Sequence, residues 1–316
     1  LFRTQTEDHL LLCIHHLAVD VYSWQIILED FGRSYNQLKA KSSITLAPKT
    51  TSFLEWTQAM HEYSTRELIT KELSYWENVI QNNMTRNQFP VNHKIRINEI
   101  NCEIEKETTL QLLDHIRMTY NVEMNVILLA ALGKAMTEWN KKSSIIIDVE
   151  GHGRETVNKE MHLERTVGWF TSIYPLKLNV FDQAVDNILY VKEALYKVPN
   201  GGIGFGILKY INQYNLDYIP DATFNYLGNM EADFNSDDSF ALSEYSCGEN
   251  SDDTTLIGSD IEINAYILKE QLLINLRYDS QKYENEYITK LVTLYQNAIR
   301  EIAALYETEN QLVKTA

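Results

Sequence analysis

Two short stretches hold the residues best suited to proton chemistry. The first is His15–His16–Leu17–Ala18–Val19–Asp20 and the second is Glu150–Gly151–His152–Gly153–Arg154–Glu155. Imidazole titrates near neutral pH, so a held histidine can give or take a proton. Neighbouring residues on an extended chain point to opposite sides, so His15 and His16 cannot share one metal as two histidines one helical turn apart can. One imidazole of the pair is expected to face a cavity while the other packs or holds the loop. Taken bare, the pair reads as two structural histidines. The functional reading gains from the apolar run before it and the helix start after it, where free N–H groups favour developing negative charge. Asp20 reads equally as a cap or an ion-paired acid. Glu150 follows an apolar strand, and glycines on both sides of His152 permit a tight turn and close approach to a ligand. A carboxylate desolvated at a strand end has a raised pKa, which suits proton transfer at neutral pH. A structural pair of Glu150 with Arg154 is the competing reading, and the residues alone leave both open.

The elements that must position these groups can be read from periodicity. Leu10 to Ile14 (LLLCI) is expected to form a short buried strand ahead of the histidines. Trp24, Ile27, Leu28, Phe31, Tyr35 and Leu38 fall on one face of a following helix, with Ser23 as its N-cap. Helical pattern continues over Phe53 to His61 and Leu68 to Ile80. The polar stretch Gln81 to His93 reads as an inter-lobe linker. Ile100, Cys102 and Ile104 alternate as a strand, and Leu110, Leu113, Ile116 and Tyr120 suit a helix. Asn125 to Trp139 is apolar enough for a helix buried on most sides. Ser144 to Val149 is a β-branched strand that delivers Glu150, and Asp182 to Lys197 is helical. Glu231 to Asp253 is acidic and loop-like. Near the end, Ile261, Ile263, Ala265 and Ile267 alternate, Lys269–Glu270–Gln271 turns the chain, and Leu272, Ile274, Leu276 and Tyr278 alternate back as a hairpin. A helix over Glu286 to Tyr306 follows. This order indicates α/β layers with mixed sheets.

Composition narrows the function classes. The 316 residues are 44% hydrophobic and 23% charged, ordinary for a globular protein and unlike a disordered one. The net charge of −16 argues against nucleic acid and against anionic membrane surfaces as partners. No apolar run reaches the length of a membrane span. Cys13, Cys102 and Cys247 are widely spaced and odd in number, which suits a reducing, cytoplasmic setting. Gly201–Gly202–Ile203–Gly204–Phe205–Gly206 follows no expected strand and so is not a dinucleotide loop. There is no P-loop, nucleophile-elbow or HExxH motif.

Together the motifs resemble the epimerization domains of nonribosomal peptide synthetases, a branch of the condensation-domain superfamily. HHLAVDVYSW (His15 to Trp24) is similar to the HHxxxDGxSW motif shared by condensation and epimerization domains. NVILLAALG (125–133), DVEGHGRE (148–155), RTVGWFTSIYP (165–175), PNGGIGFG (199–206) and FNYLGN (224–229) resemble the later motifs of the epimerization branch, in order. Val21 stands where the family usually has Gly. Since a β-branched residue resists positive φ, an altered loop is expected there. Only 14 residues precede His15, whereas the family has a longer N-terminal part.

The resemblance implies a chloramphenicol acetyltransferase-like α/β fold, two lobes in a V with mixed sheets. Residues 1–92 would be the remainder of an incomplete N-terminal lobe, and 93–316 the C-terminal lobe. The implied reaction is L-to-D epimerization at the α-carbon of an aminoacyl or peptidyl thioester. The substrate would hang from the 4'-phosphopantetheine of an upstream peptidyl carrier domain, among neighbouring synthetase modules, with no metal and no bound cofactor. His16 and Glu150 would lie on opposite sides of the reacting carbon as the catalytic pair. Supporting roles would fall to His15, Asp20, Arg154, Asn225 and Tyr226. Asp20 would hold the motif loop through Arg154 or Arg165, and Trp169 and Phe170 would shape a crossover between lobes. The competing readings are a condensation domain that forms amide bonds, a truncated carrier-binding fragment without turnover and, more weakly, a free acyltransferase of the same fold.

Overall fold

The computed structural model describes residues 1–81, 96–155, 157, 160–230, 240–241, 243, 245–248 and 259–315, with side chains to residue 306 in the last helix. The chain starts with a minimal ladder, β1 (Phe2–Arg3) against β2 (Asp8–His9). Four helices follow: α1 (Val21–Lys39), α2 (Phe53–Ser64), α3 (Glu67–Lys71) and α4 (Leu73–Ile80). The remainder is β3 (Ile97–Ile104), a helical run of α5 (Lys106–Leu110), a π-helical stretch Gln111–Ile116 and α6 (Arg117–Tyr120), then α7 (Met124–Asn140), β4 (Ser144–Gly151), β5 (Ser172–Asn179), α8 (Ala184–Tyr196), α9 (Ile203–Gly206), β6 (Ala222–Asn229), β7 (Ile261–Leu268), β8 (Gln271–Asp279) and α10 (Asn285–Thr315).

Strands β3 to β8 make one six-stranded sheet in the order β3-β8-β7-β6-β4-β5. The β4–β6 and β6–β7 pairs are parallel and the others antiparallel, so the sheet is mixed. Its pleat sorts the side chains. Ile263 and Ala265 of β7 and Ile274 and Leu276 of β8 are buried on one face with Ile147 and Val149 of β4. Glu262, Asn264, Asn275 and Arg277 alternate with them on the other face, half-exposed. Helix α7 is apolar on nearly all sides and lies in the core, with α10 packed on it through Ile288, Leu291, Tyr295, Ile299 and Ile302. The Tyr295 hydroxyl reaches the Leu128 carbonyl at 3.2 Å, which satisfies a polar atom in otherwise apolar packing. Lys269 and Glu270, both at positive φ, form a two-residue hairpin turn between Leu268 and Gln271, one residue tighter than expected.

Two expectations for the N-terminal segment are overturned. Leu10 to Ile14 is neither a strand nor buried: Leu10, Leu11 and Ile14 are exposed. A strand is stable only where another strand receives its backbone groups, and none among the described residues pairs with this run. The N-cap of α1 is Asp20, whose carboxylate accepts from the Ser23 N–H, so Ser23 lies inside the helix. The helix itself is as expected, but its apolar stripe is not its buried face. Phe31, Tyr35 and Leu38 are exposed while Ser23, Ile26 and Gly32 are buried. Among the described residues, the ring of Phe240 meets Phe31 and Tyr35. Val21, by contrast, needs no left-handed backbone: it is the first residue of α1. The expected linker and lobe boundary near residue 92, and most of the acidic stretch 231–253, lie outside the described residues.

Candidate active site

Glu150 is the penultimate residue of β4, on the face away from Ile147 and Val149. In the parallel register of β4 and β6, Val149 lies beside Phe224, so Glu150 is level with Asn225. The Asn225 side-chain amide donates to Glu150 Oε2 at 2.5 Å. Burial pushes the Glu150 carboxyl up to about 7; Glu262 one strand further on adds to the shift, and the imidazole of His16 opposes it. That last influence brings the two motifs together: residues 134 positions apart act on one another through space.

The two histidine side chains have different surroundings, His15 at the cap of a 3-10 turn and His16 at its first position. His15 Nδ1 accepts the Leu17 N–H at 3.1 Å and so caps the 3-10 turn His16–Ala18. His16 instead points its ring towards the edge of Trp169, with 5.9 Å between centroids. It is exposed in this structure, as is His15.

Beneath them is a buried ion pair. Arg154 Nη2 donates to both carboxylate oxygens of Asp20, at 2.9 and 3.1 Å. Arg154 Nη1 donates to the carbonyls of Leu163 and Thr166, and its guanidinium lies 4.0 Å from the centroid of the Phe170 ring. The Asp20 carboxylate also accepts the Phe170 N–H at 3.2 Å. Arg165 does not take part; it pairs with Glu29 and Asp30 on α1. Gly153 makes the turn possible. Its φ is +65°, and a Cβ there would lie 1.6 Å from the Phe170 carbonyl oxygen.

Among the residues singled out from sequence, Asp20 pairs with Arg154, Asn225 bonds Glu150, His15 caps the turn that carries His16, and His16 meets Trp169 of the segment that Arg154 and Asp20 hold. Tyr226 lies apart. It is one residue on from Asn225, so it points through the sheet to the helix-covered face, level with Ala265 and packed on the core. Burial there raises its phenol to about 12. Phe170 is fully buried and Trp169 is half out in solvent, so only the latter borders the open side. Two further residues take part: Ser23, expected from sequence only as a helix cap, and Glu262, not singled out there. Ser23 Oγ accepts the Gly168 N–H at 3.0 Å and ties α1 to the crossover. Glu262 biases Glu150 across the sheet. Ser23, in Val21–Tyr22–Ser23–Trp24, was visible as a cap signal, whereas Glu262 comes near Glu150 only through strand register.

The family model described as "Condensation domain" matches residues 1–315. The chain belongs to the condensation-domain family. It is 35% identical to tyrocidine synthase 1 of Brevibacillus parabrevis over 337 residues, covering 100% of this chain and 31% of that protein. The chain thus spans about a third of that curated relative's length. Among solved structures it is similar to the epimerization domain from the third module of tyrocidine synthetase B, with a TM-score of 0.81 and 31% identity over 92% of this chain and 67% of that one. The first condensation domain of the CDA synthetase shares the fold at 14% identity, with a TM-score of 0.65 over 92% of this chain and 62% of that one. The α/β, chloramphenicol acetyltransferase-like class read from the sequence is therefore the fold of this condensation-family chain. No helix among its described residues is long and apolar enough to cross a membrane.

Proposed function

We propose that this chain inverts the α-carbon of an aminoacyl or peptidyl thioester presented on the phosphopantetheine arm of a carrier domain. One observation carries the reading. Glu150 is a carboxyl group pushed up to about 7 and oriented by Asn225, within electrostatic reach of the His16 imidazole. The likeness to an epimerization domain supports it further.

The chemistry follows from the two groups. A thioester acidifies its Cα–H, and a carboxylate with a pKa near ambient pH is a suitable base. Glu150 takes the α-proton of the L-substrate; the Cα–H electron pair moves into the thioester as an enolate. The His16 imidazolium then delivers a proton to the opposite face, which leaves a neutral imidazole and a protonated Glu150. Exchange with water resets both. Asn225 and His15 act as positioning residues, the first through the Glu150 carboxylate and the second through the turn that carries His16. The Asp20–Arg154 pair holds the two motifs at a fixed separation.

A carrier loaded with an L-aminoacyl group deuterated at Cα, mixed with the chain, tests the reading. Loss of deuterium together with accumulation of the D-form is expected. Retention of deuterium with amide formation between two loaded carriers would establish the second reading, a condensation domain, which the family match over 1–315 favours. Carrier binding with neither reaction would leave a carrier-binding fragment.

A further inference from the structure

The open face of the sheet carries a row of amides that leads away from Glu150. Strand register places Asn225 level with Glu150, Asn264 beside Asn225, Asn275 beside Asn264, and Asn101 beside Asn275. The row therefore crosses β4, β6, β7, β8 and β3 on a single pleat line. Neighbouring strands are about 4.8 Å apart, so Asn225 to Asn101 spans roughly 14 Å, or about four residues of extended chain.

An exposed sheet face is polar by default, so polarity alone means little. The residue type is what stands out. Asn is depleted in strands, where Thr would serve better on a wet face, yet it fills four consecutive strands on this line. Nor is the row a closed ladder. Asn275 donates to Asn101 Oδ1 at 2.8 Å and to Glu99 Oε2 at 3.2 Å, and Asn225 donates to Glu150. Asn264, between them and half-buried, is paired through its backbone, but its side-chain amide has no hydrogen-bond partner among the described residues. A side-chain amide offers two donor hydrogens and two acceptor lone pairs, the same groups that a peptide backbone presents. The carbonyls of Asn225 and Asn275 and the whole amide of Asn264 remain available for such pairing.

We infer that the line Asn225–Asn264–Asn275–Asn101 is a subsite for the backbone of a peptidyl chain, so that the preferred substrate is a peptidyl rather than a single aminoacyl thioester. The occupant is fixed by continuity: the first amide of the row is bonded to the group proposed to act on the reacting carbon. A chain whose C-terminal residue is at Glu150 must run somewhere, and this line offers it complementary hydrogen bonds without demanding particular side chains. The inference rests on the proposed site but is tested apart from it.

The probes are a tetrapeptidyl and an aminoacyl pantetheine with the same last residue, each with an amide in place of the thioester so that neither can exchange. Calorimetry should show the tetrapeptidyl probe binding roughly ten-fold tighter, the equivalent of a few net neutral hydrogen bonds. Asn264→Thr and Asn275→Thr, both strand-compatible, should each cut that preference several-fold while circular dichroism confirms the fold. Equal affinity of the two probes for the unaltered chain, or full preference retained in both variants, would overturn the subsite. A chain that exchanges Cα deuterium but shows no length preference loses only this inference. A chain that prefers the longer probe but never exchanges loses only the proposed reaction.

Discussion

Arg154 and Asp20, 134 residues apart, meet in a two-point ion pair with both side chains almost wholly buried. Every remaining contact of the pair serves geometry. The Asp20 carboxylate caps α1 and accepts the Phe170 N–H, while Arg154 gathers two carbonyls and stacks on the Phe170 ring. Neither group is exposed, whereas His16 is exposed and Glu150, bonded to Asn225, is half-buried. The Asp20–Arg154 part of the two motifs is thus a clamp, and the groups proposed to do the chemistry are its neighbours: His16 at a turn and Glu150 near a strand end.

Breaking the clamp from one side leaves a buried charge without its partner. Asp20→Ala or Arg154→Ala should each cost about 3–5 kcal/mol of stability, read as a drop in denaturant midpoint. The double replacement Asp20→Leu with Arg154→Leu should cost clearly less than the two single changes added together, because the unpaired charge is gone. Additive losses would mean that the pair is not coupled.

His16→Ala should behave in the opposite way. The ring is exposed and makes no hydrogen bond to the described residues, so melting temperature should change little. Cα exchange should fall by at least 100-fold, in keeping with the loss of a general acid–base group. An unchanged exchange rate would remove His16 from the reaction. His15→Ala should show a milder loss of rate together with a small loss of stability, because it removes a turn cap.

Gly153→Ala is expected to be among the most damaging single changes. The left-handed backbone and the approach of the Phe170 carbonyl leave no room for a methyl group. Soluble yield and the cooperativity of melting should both fall. Gly206→Ala provides the contrast, since the Tyr210 ring is 4.0 Å from the site of its Cβ and ordinary packing would result.

Much of this was legible in the sequence. The hairpin of β7 and β8, the buried helix α7 and the strand bearing Glu150 all follow from apolar period and length, because the core that satisfies those patterns lies within the chain. Leu10 to Ile14 and the stripe of Phe31, Tyr35 and Leu38 have the same kind of pattern but no cover among most of the described residues, and there local pattern misleads. The site divides similarly. Motif resemblance singled out Glu150, His16, Asp20 and Arg154, but it left Arg165 as an equal partner for Asp20, and the pairing with Arg154 emerges only in the fold. The resemblance could not separate Asn225 from Tyr226, since which of two adjacent strand residues faces the site depends on the pleat. Glu262 and the amide row were invisible until register was known.

The pH dependence of Glu150 links activity and stability with opposite signs. Its carboxyl is raised from an ordinary 4.5 to about 7, chiefly by burial, so folding favours the protonated form. The stability it contributes is complete below about pH 4.5 and is lost as pH rises through about 7. By that shift, about 3 kcal/mol separates the two ends of the interval. Base catalysis requires the ionised form and therefore rises over the upper part of the same interval. The acid limb of the exchange rate plotted against pH should rise with an apparent midpoint near 7 while the melting temperature declines. Glu150→Gln keeps the shape of the side chain and removes the charge. It should abolish exchange and should melt higher than the unaltered chain at pH 8, with the difference vanishing near pH 4. If the replacement melted no higher at pH 8, the carboxyl would be better solvated than its place on the sheet indicates. Wild-type exchange in E150Q would transfer the role of base to another group.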